Sequence, residues 1–320
     1  MSAPPNKGSP LYLTVYTITL VTGWPTNLLA LYAFYKKLRR KATPSVIFLI
    51  NLTLSDISFL TFLPVKAIEA SGDMIWILPR SLCPLSGLFY FSTIYSSTLF
   101  LTAVSVDRYL GVAYPLWYKM YRKSSYALVA CFCLWVCAFA HCSVVYVTEL
   151  NRDWSIAKNE SVCYDNFSQK QLTFLLPVRL ELGLMLFCIP SLITSFCYCS
   201  FTRIILSSPH ICKEKKQRCV GLVLATLAVF LICFTPYNVS HFVGYAQGSS
   251  PTWRGDALLL STFNACLDPI IFYFSSTAVQ KSCRSCLRGL QIKECTNKPI
   301  FYLSNEIRSS EQKSNVEDRC

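Results

Sequence analysis

The sequence predicts an all-α membrane fold: a seven-transmembrane helix bundle followed by a short amphipathic eighth helix. Three observations carry this expectation. Apolar residues make up 53% of the 320-residue chain and charged residues only 15%, with a mean hydropathy of +0.39. Seven apolar stretches each reach the roughly 20 residues that a helix needs to cross a bilayer. Lysine and arginine gather on alternate connections between the stretches, as expected of a chain threaded back and forth through a membrane.

The stretches follow in order. Leu11–Tyr35 carries no charge, Pro44–Val65 only Asp56, and Leu82–Val106 none. Ser124–Thr148 holds His141 alone, and an uncharged run follows Glu181 as far as Thr202. Cys219–Gln247 holds His241 alone, and Ala257–Gln280 holds Asp268 alone. Residues 11–280 therefore read as one membrane domain behind a ten-residue N-terminus, residues 1–10. That is too short for a cleavable signal peptide, so the first span is expected to direct insertion.

The connections set the orientation. Lys36, Lys37, Arg39, Arg40 and Lys41 fill the first, and Lys119, Arg122 and Lys123 the third. Arg203, Lys213, Lys215, Lys216 and Arg218 mark the fifth, and Lys281, Arg284, Arg288 and Lys293 follow the last span. The opposite connections mix signs, as in Glu149, Arg152, Asp153, Lys158, Glu160 and Asp165. Basic loops stay inside, which predicts a multi-pass plasma-membrane protein with an extracellular N-terminus and a cytosolic tail. The net charge of +13 is then an insertion signal and an affinity for anionic inner-leaflet lipid. Nucleic acid is not an expected partner.

Of 17 cysteines, most lie within spans, where a thiol acts as a small apolar residue. Only Cys83 and Cys163 fall on the oxidising face, and one disulfide is the economical reading; two free thiols are the alternative. Asn159 and Asn166 head accessible glycosylation sequons in the long loop 149–171, whereas Asn51 and Asn238 head chance matches inside spans. Over residues 281–294, Cys283, Cys286, Leu287 and Leu290 recur at helical spacing opposite Lys281, Arg284 and Arg288. That pattern predicts a helix lying on the inner membrane surface, with Cys283 and Cys286 either palmitoylated or unmodified. Residues 295–320 are polar and expected to be disordered.

An ionisable group inside a bilayer is costly unless paired or hydrated, so each one needs an account. Asp56 and Asp268 lie near half depth, with Ser97 and Asn264 at a similar level. Such a set suits a small cation such as sodium at Asp56, a shared proton, or a hydrogen-bonded core network without an ion. At the inner end of the third span stands Asp107-Arg108-Tyr109, where an arginine beside an acid can exchange partners as helices move. No spacing suggests a metal centre or any other cofactor.

The outer layer is richer. Tyr90 lies about two turns below Cys83. His141, and His241 beside Tyr237 and Asn238, lie at a similar depth. Arg179 and Arg254 begin the fifth and seventh spans, and Lys66 and Glu69 end the second. Arg179 and Glu181 are two apart, so on a helix they point different ways and do not neutralise each other. The outer cavity is expected to be cationic, and an arginine fork matches a carboxylate. The alternative is that both arginines reach to the interface or pair with Glu149 or Asp165.

These residues resemble those of rhodopsin-like G-protein-coupled receptors over the whole membrane domain. The matching marks are Gly23-Trp24-Pro25-Thr26-Asn27, Asn51-Leu52-Thr53-Leu54-Ser55-Asp56, Trp135, Pro190, Tyr198 and Cys233-Phe234-Thr235-Pro236. Within that family the chain is similar to the free fatty acid receptors, nearest the short-chain branch that responds to acetate and propionate. Pro177-Val178-Arg179-Leu180-Glu181-Leu182, Pro236-Tyr237-Asn238-Val239-Ser240-His241 and Ser250-Pro251-Thr252-Trp253-Arg254 carry that likeness. The resemblance implies a carboxylate site made by Arg179, Arg254, His141, Tyr90, Tyr237 and His241, with Asn238 among them. It implies an activation motif at Asp107, Arg108, Tyr109, Asp268, Pro269 and Phe272. Its expected partners are a short-chain carboxylate (acetate, propionate or butyrate), heterotrimeric G proteins of the Gi and Gq classes, arrestin and membrane lipid. Two positions depart from the wider family: Phe234 stands where tryptophan is usual, and Asp268-Pro269-Ile270-Ile271-Phe272 replaces Asn-Pro-x-x-Tyr.

Other classes fit less well. A retinal protein needs a Schiff-base lysine, and Ala257–Gln280 has none. An intramembrane aspartyl protease places one acid in Gly-x-Gly-Asp, whereas Asp268 follows Ala265-Cys266-Leu267. No phosphate loop or nucleophile elbow suggests an enzyme. A receptor for longer fatty acids or another small organic anion remains an alternative, and a carboxylate transporter is the alternative from a different class, although transporters show repeated halves that this chain lacks.

Overall fold

The computed structural model describes residues 9–150, 163–164, 167–209 and 211–275. Among them every regular element is helical. The sequons at Asn159 and Asn166, the helix expected at 281–294 with Cys283 and Cys286, and the tail 295–320 lie outside the described residues. The spans are Ser9–Arg40, Pro44–Ser71, Leu82–Ala113, Ser124–Leu150, Gln169–Ser207, Lys213–Gln247 and the pair Arg254–Thr262 with Asn264–Ser275. A short helix, Pro115–Tyr121, links the third and fourth.

Six of these, from the second onward, are long and apolar enough by composition to cross a membrane. The first is 32 residues long but is diluted by threonines and by Gly23-Trp24-Pro25-Thr26-Asn27. Three of its hydroxyls are satisfied within the helix. Thr14, Thr22 and Thr26 each donate back to the carbonyl four residues earlier at 2.7 Å, which satisfies a polar side chain inside a helix.

Proline placement explains the irregular helices. A proline cannot donate to the carbonyl four residues before it, and Pro269 therefore leaves the Ala265 carbonyl free. Asn27 Nδ2 from the first span fills that vacancy at 2.6 Å, which ties spans one and seven together. Just above, the seventh span breaks at Phe263, where the sequence predicted one continuous helix. Ser261 and Thr262 donate to the carbonyls three residues back, and Phe263 N–H turns to Leu260 O. In the fifth span a π-helical turn, Leu184–Cys188, immediately precedes Pro190, a common place for such turns to absorb a mismatch.

The third span is the axis of the bundle. In its most apolar 18 residues 72% are buried, against 22% for the fourth span. Phe100, Phe230, Phe234, Phe272 and Phe34 fill the centre, each no more than 2% exposed. A disulfide joins Cys83 to Cys163, fixing the loop before the fifth span to the top of the third.

Candidate ligand-binding site

The two arginines meet at the disulfide end. Arg179 is only 3% exposed. Its Nη1 donates to Ser250 Oγ at 2.7 Å, while its Nε and Nη2 find no acceptor. Those two nitrogens lie on one edge of the guanidinium, so their N–H bonds run side by side. Arg254 Nη2 donates to Tyr237 Oη at 3.1 Å. Tyr164 brings the pair together, its ring centroid 5.9 Å from the Arg179 guanidinium carbon and 6.0 Å from that of Arg254. Phe167 and Tyr237 each hold one arginine at 5.3 Å. Aromatic faces offset part of the repulsion between two cations, but they supply no counter-charge. Burial pushes the Tyr164 hydroxyl up to about 12 against the opposing pull of both arginines.

Local structure sets these positions. Tyr164 has a left-handed backbone, φ 63°, a conformation that a non-glycine residue keeps only when its surroundings impose it. The neighbouring Cys163 is held by the disulfide, and its N–H donates to Glu69 Oε1 at 2.9 Å. Glu69 is in turn paired with Lys66 at 2.8 Å. On the other side Gly248 ends the sixth span at φ 65°, where glycine carries no steric cost. Ser249 N–H then donates to Gly244 O and Arg254 N–H to Pro251 O, so the loop carrying Ser250 is pinned at both ends.

A cavity of about 670 Å³ opens beside Arg254, with Tyr16, Lys66, Glu69, Tyr90 and Phe91 in its wall. Tyr90 thus lines the same cavity as Arg254. Asn238 and His241 lie behind Tyr237: the His241 ring packs edge-on to Tyr237 at 4.6 Å. Tyr95 joins them, its hydroxyl 3.0 Å from His241 Nε2 and 3.4 Å from Asn238 Oδ1. With the proton on Nε2, both bonds form at once. Asn238 Nδ2 donates to Phe234 O at 2.9 Å.

His141 lies apart from this cluster. Its Nδ1 lies 2.9 Å from Glu181 Oε1, with the two side chains 35% and 41% exposed. Together they line an open groove of about 460 Å³ with Ala140, Val144, Pro177 and Val178. The reason is helix rotation. Glu181 points away from Arg179, as the two-residue spacing predicted, and draws His141 to the outer face of spans four and five.

Four contributors were not singled out from the sequence: Tyr95, Tyr164, Ser250 and Glu69 in its role as a loop anchor. Tyr164 was findable as the neighbour of Cys163. Tyr95 and Ser250 carry no sequence signal that separates them from ordinary span and loop residues.

Residues 26–272 match the family described as 7 transmembrane receptor (rhodopsin family). The chain belongs to the rhodopsin family of seven-transmembrane receptors. Among its relatives, free fatty acid receptor 3 of Mus musculus is 46% identical over 287 residues, covering 89% of each chain. Free fatty acid receptor 2 of Homo sapiens is 46% identical over 291 residues, 90% of this chain and 87% of the relative. Free fatty acid receptor 1 of Macaca fascicularis is 31% identical over 283 residues, 85% of this chain and 92% of the relative. Equal identity to receptors 2 and 3 sets this member of the rhodopsin family apart from neither.

The remaining polar layers of this rhodopsin-family receptor are well formed. At half depth Ser97 donates to Asp56 Oδ1 at 3.2 Å, and Asn264 Nδ2 to Asp268 Oδ2 at 2.9 Å. Asp56 Oδ2 and Asn264 Oδ1 have no partner and face a cavity of about 10 Å³, the threshold for one water. An all-oxygen donor set of this kind suits a hard cation. Among the described residues no His, Cys, Asp and Glu cluster could hold a metal. At the opposite end Asp107 accepts hydrogen bonds from Ser45 and from Tyr118, the latter at 2.5 Å. No ion pair joins Asp107 to Arg108 among the described residues; the two hydroxyl donors hold the carboxylate instead. Burial and the Asp107 carboxylate raise the Tyr118 hydroxyl, which keeps it a donor. Tyr109 packs edge-on to Phe196 at 5.7 Å, and Phe272 packs edge-on to Phe34 at 5.9 Å.

Proposed function

We propose that this receptor responds to short-chain carboxylates (acetate, propionate and butyrate) and signals through heterotrimeric G proteins of the Gi and Gq classes, with arrestin as a further partner. One observation carries the reading: a buried arginine with two parallel, unused N–H donors stands beside a second, half-buried arginine. A carboxylate supplies both missing acceptors on Arg179 and a negative charge between the two cations. The names of the relatives, free fatty acid receptors 1, 2 and 3, favour the same ligand class.

In this reading the disulfide end faces the outside of the plasma membrane and the basic connections face the cytosol, where Asp107, Arg108 and Tyr109 meet the G protein. Asp56, Ser97 and Asn264 would hold a sodium ion, which supplies a positive charge to the buried acid. Short tails are favoured because Lys66, Glu69, Asp256, Ser249 and Thr252 interrupt the otherwise largely aromatic and aliphatic wall of the cavity beside Arg254. A long alkyl chain would displace water from those groups without replacing its hydrogen bonds.

The test is a dose–response series of linear carboxylates in cells expressing the chain, read as G-protein activation and, in parallel, as uptake of labelled acetate. Activation by two- to five-carbon acids without uptake is expected. Uptake without activation would overturn the receptor reading in favour of a transporter.

A further inference from the structure

We propose that Ser250 is a positioning residue: by holding Arg179 Nη1 it turns the Nε–Nη2 edge of that arginine toward the ligand and makes the site select flat, two-oxygen anions. This rests on the carboxylate reading above.

A guanidinium can offer either of two donor edges, one built from both terminal nitrogens and one from Nε with a single terminal nitrogen. Ser250 Oγ sits 2.7 Å from Nη1 and engages the nitrogen that only the first edge uses. The second edge is the one whose nitrogens are buried and have no acceptor. Ser250 can do this because its loop cannot drift. Gly248 closes the sixth span, Ser249 N–H bonds Gly244 O at 3.2 Å, and Arg254 N–H bonds Pro251 O at 3.1 Å. A Cβ on Gly244 would come within 3.1 Å of Ser249 O, so the close approach of the loop also depends on that glycine.

The orientation matters because Arg179 is bounded by rings. Phe167 and Tyr164 lie 5.3 and 5.9 Å from its guanidinium carbon. A carboxylate lying in the guanidinium plane keeps both oxygens on the two donors. A tetrahedral sulfonate of the same charge must put its third oxygen out of that plane, toward apolar ring atoms where no donor waits. A freed Arg179 could rotate away from the rings and admit either shape.

The experiment compares acetate with methanesulfonate on the full-length receptor at matched surface expression. Ser250→Ala is expected to lower acetate potency about tenfold, the scale of one hydrogen bond to a charged group, and to narrow the acetate-over-methanesulfonate preference. Ser250→Thr keeps the hydroxyl and should restore both. If Ser250→Ala does not reach the surface, Ser250→Gly is read in the same way. An unchanged anion preference in Ser250→Ala overturns the inference, as does a loss of potency that Ser250→Thr fails to rescue. Neither result touches the carboxylate reading, which fails separately if Arg179→Ala responds normally to acetate.

Discussion

Replacing Arg179 by methionine should abolish the response to acetate while making the unliganded receptor more stable. The side chain is 3% exposed and keeps two donors without acceptors, so in the empty receptor it is a buried charge with incomplete compensation. Methionine fills a similar volume and removes that cost. In the liganded receptor the same change deletes two charge-assisted hydrogen bonds, each worth about 1.5–3 kcal/mol. Relief of the like charge on Arg254 offsets part of the loss. The remainder is about 2–5 kcal/mol, the range for truncating one member of a buried charged pair. At about 1.4 kcal/mol per tenfold, affinity should fall by between roughly 30-fold and several thousand-fold. Two assays check the two signs. Acetate potency is measured by G-protein activation at matched surface expression, and the melting temperature of purified receptor is measured with and without acetate. Wild type should gain stability from saturating acetate, about 2.7 kcal/mol at a hundred times Kd, and Arg179→Met should gain none. Arg179→Lys should rescue poorly, because an ammonium cannot present two parallel donors. A near-normal acetate response in Arg179→Met would refute the reasoning, and so would an unliganded variant that melts well below wild type.

Three further outcomes are expected. Cys83→Ser and Cys163→Ser should each impair surface delivery or ligand response, with the double variant no worse than either single; additive losses in a surface-expression assay would show the cysteines acting separately. Tyr95→Phe leaves His241 Nε2 and Asn238 Oδ1 without their shared hydroxyl and should cost about 1–3 kcal/mol, read as a lowered melting temperature; an unchanged one would mean that water replaces the hydroxyl. Potency along the linear acids should peak within about two to five carbons and collapse by about eight, since each methylene contributes about 0.8 kcal/mol only while it finds apolar surroundings. A potency still rising at twelve or more would show a continuous apolar path for the tail, which the mixed wall of the cavity beside Arg254 interrupts.

Much of the site was legible one residue at a time. Arg179 and Glu181 diverge because a helix turns about 100° per residue, and that holds whatever surrounds them. Cys83 and Cys163 were paired by sorting cysteines by membrane face. The pairing of His141 with Glu181 was not legible, because its depth follows from counting along the helix, whereas its direction depends on how the fourth span is rotated against the fifth. Tyr95, Ser250 and Glu69 reach the site through partners 143 and 146, 71 and 94 residues away in the chain, and no local pattern encodes such distances.

The sequence by itself determined that this chain crosses a membrane in seven spans. Bilayer thickness and the need to satisfy backbone hydrogen bonds act on each contiguous stretch alone. The break at Phe263, the π turn at Leu184–Cys188 and the gathering of Arg179, Arg254 and Tyr164 were decided only by tertiary structure. Helix rotation, proline-freed carbonyls and the strained loop beside Cys163 are settled by packing between spans, because the energies involved belong to pairs of distant residues rather than to any one segment.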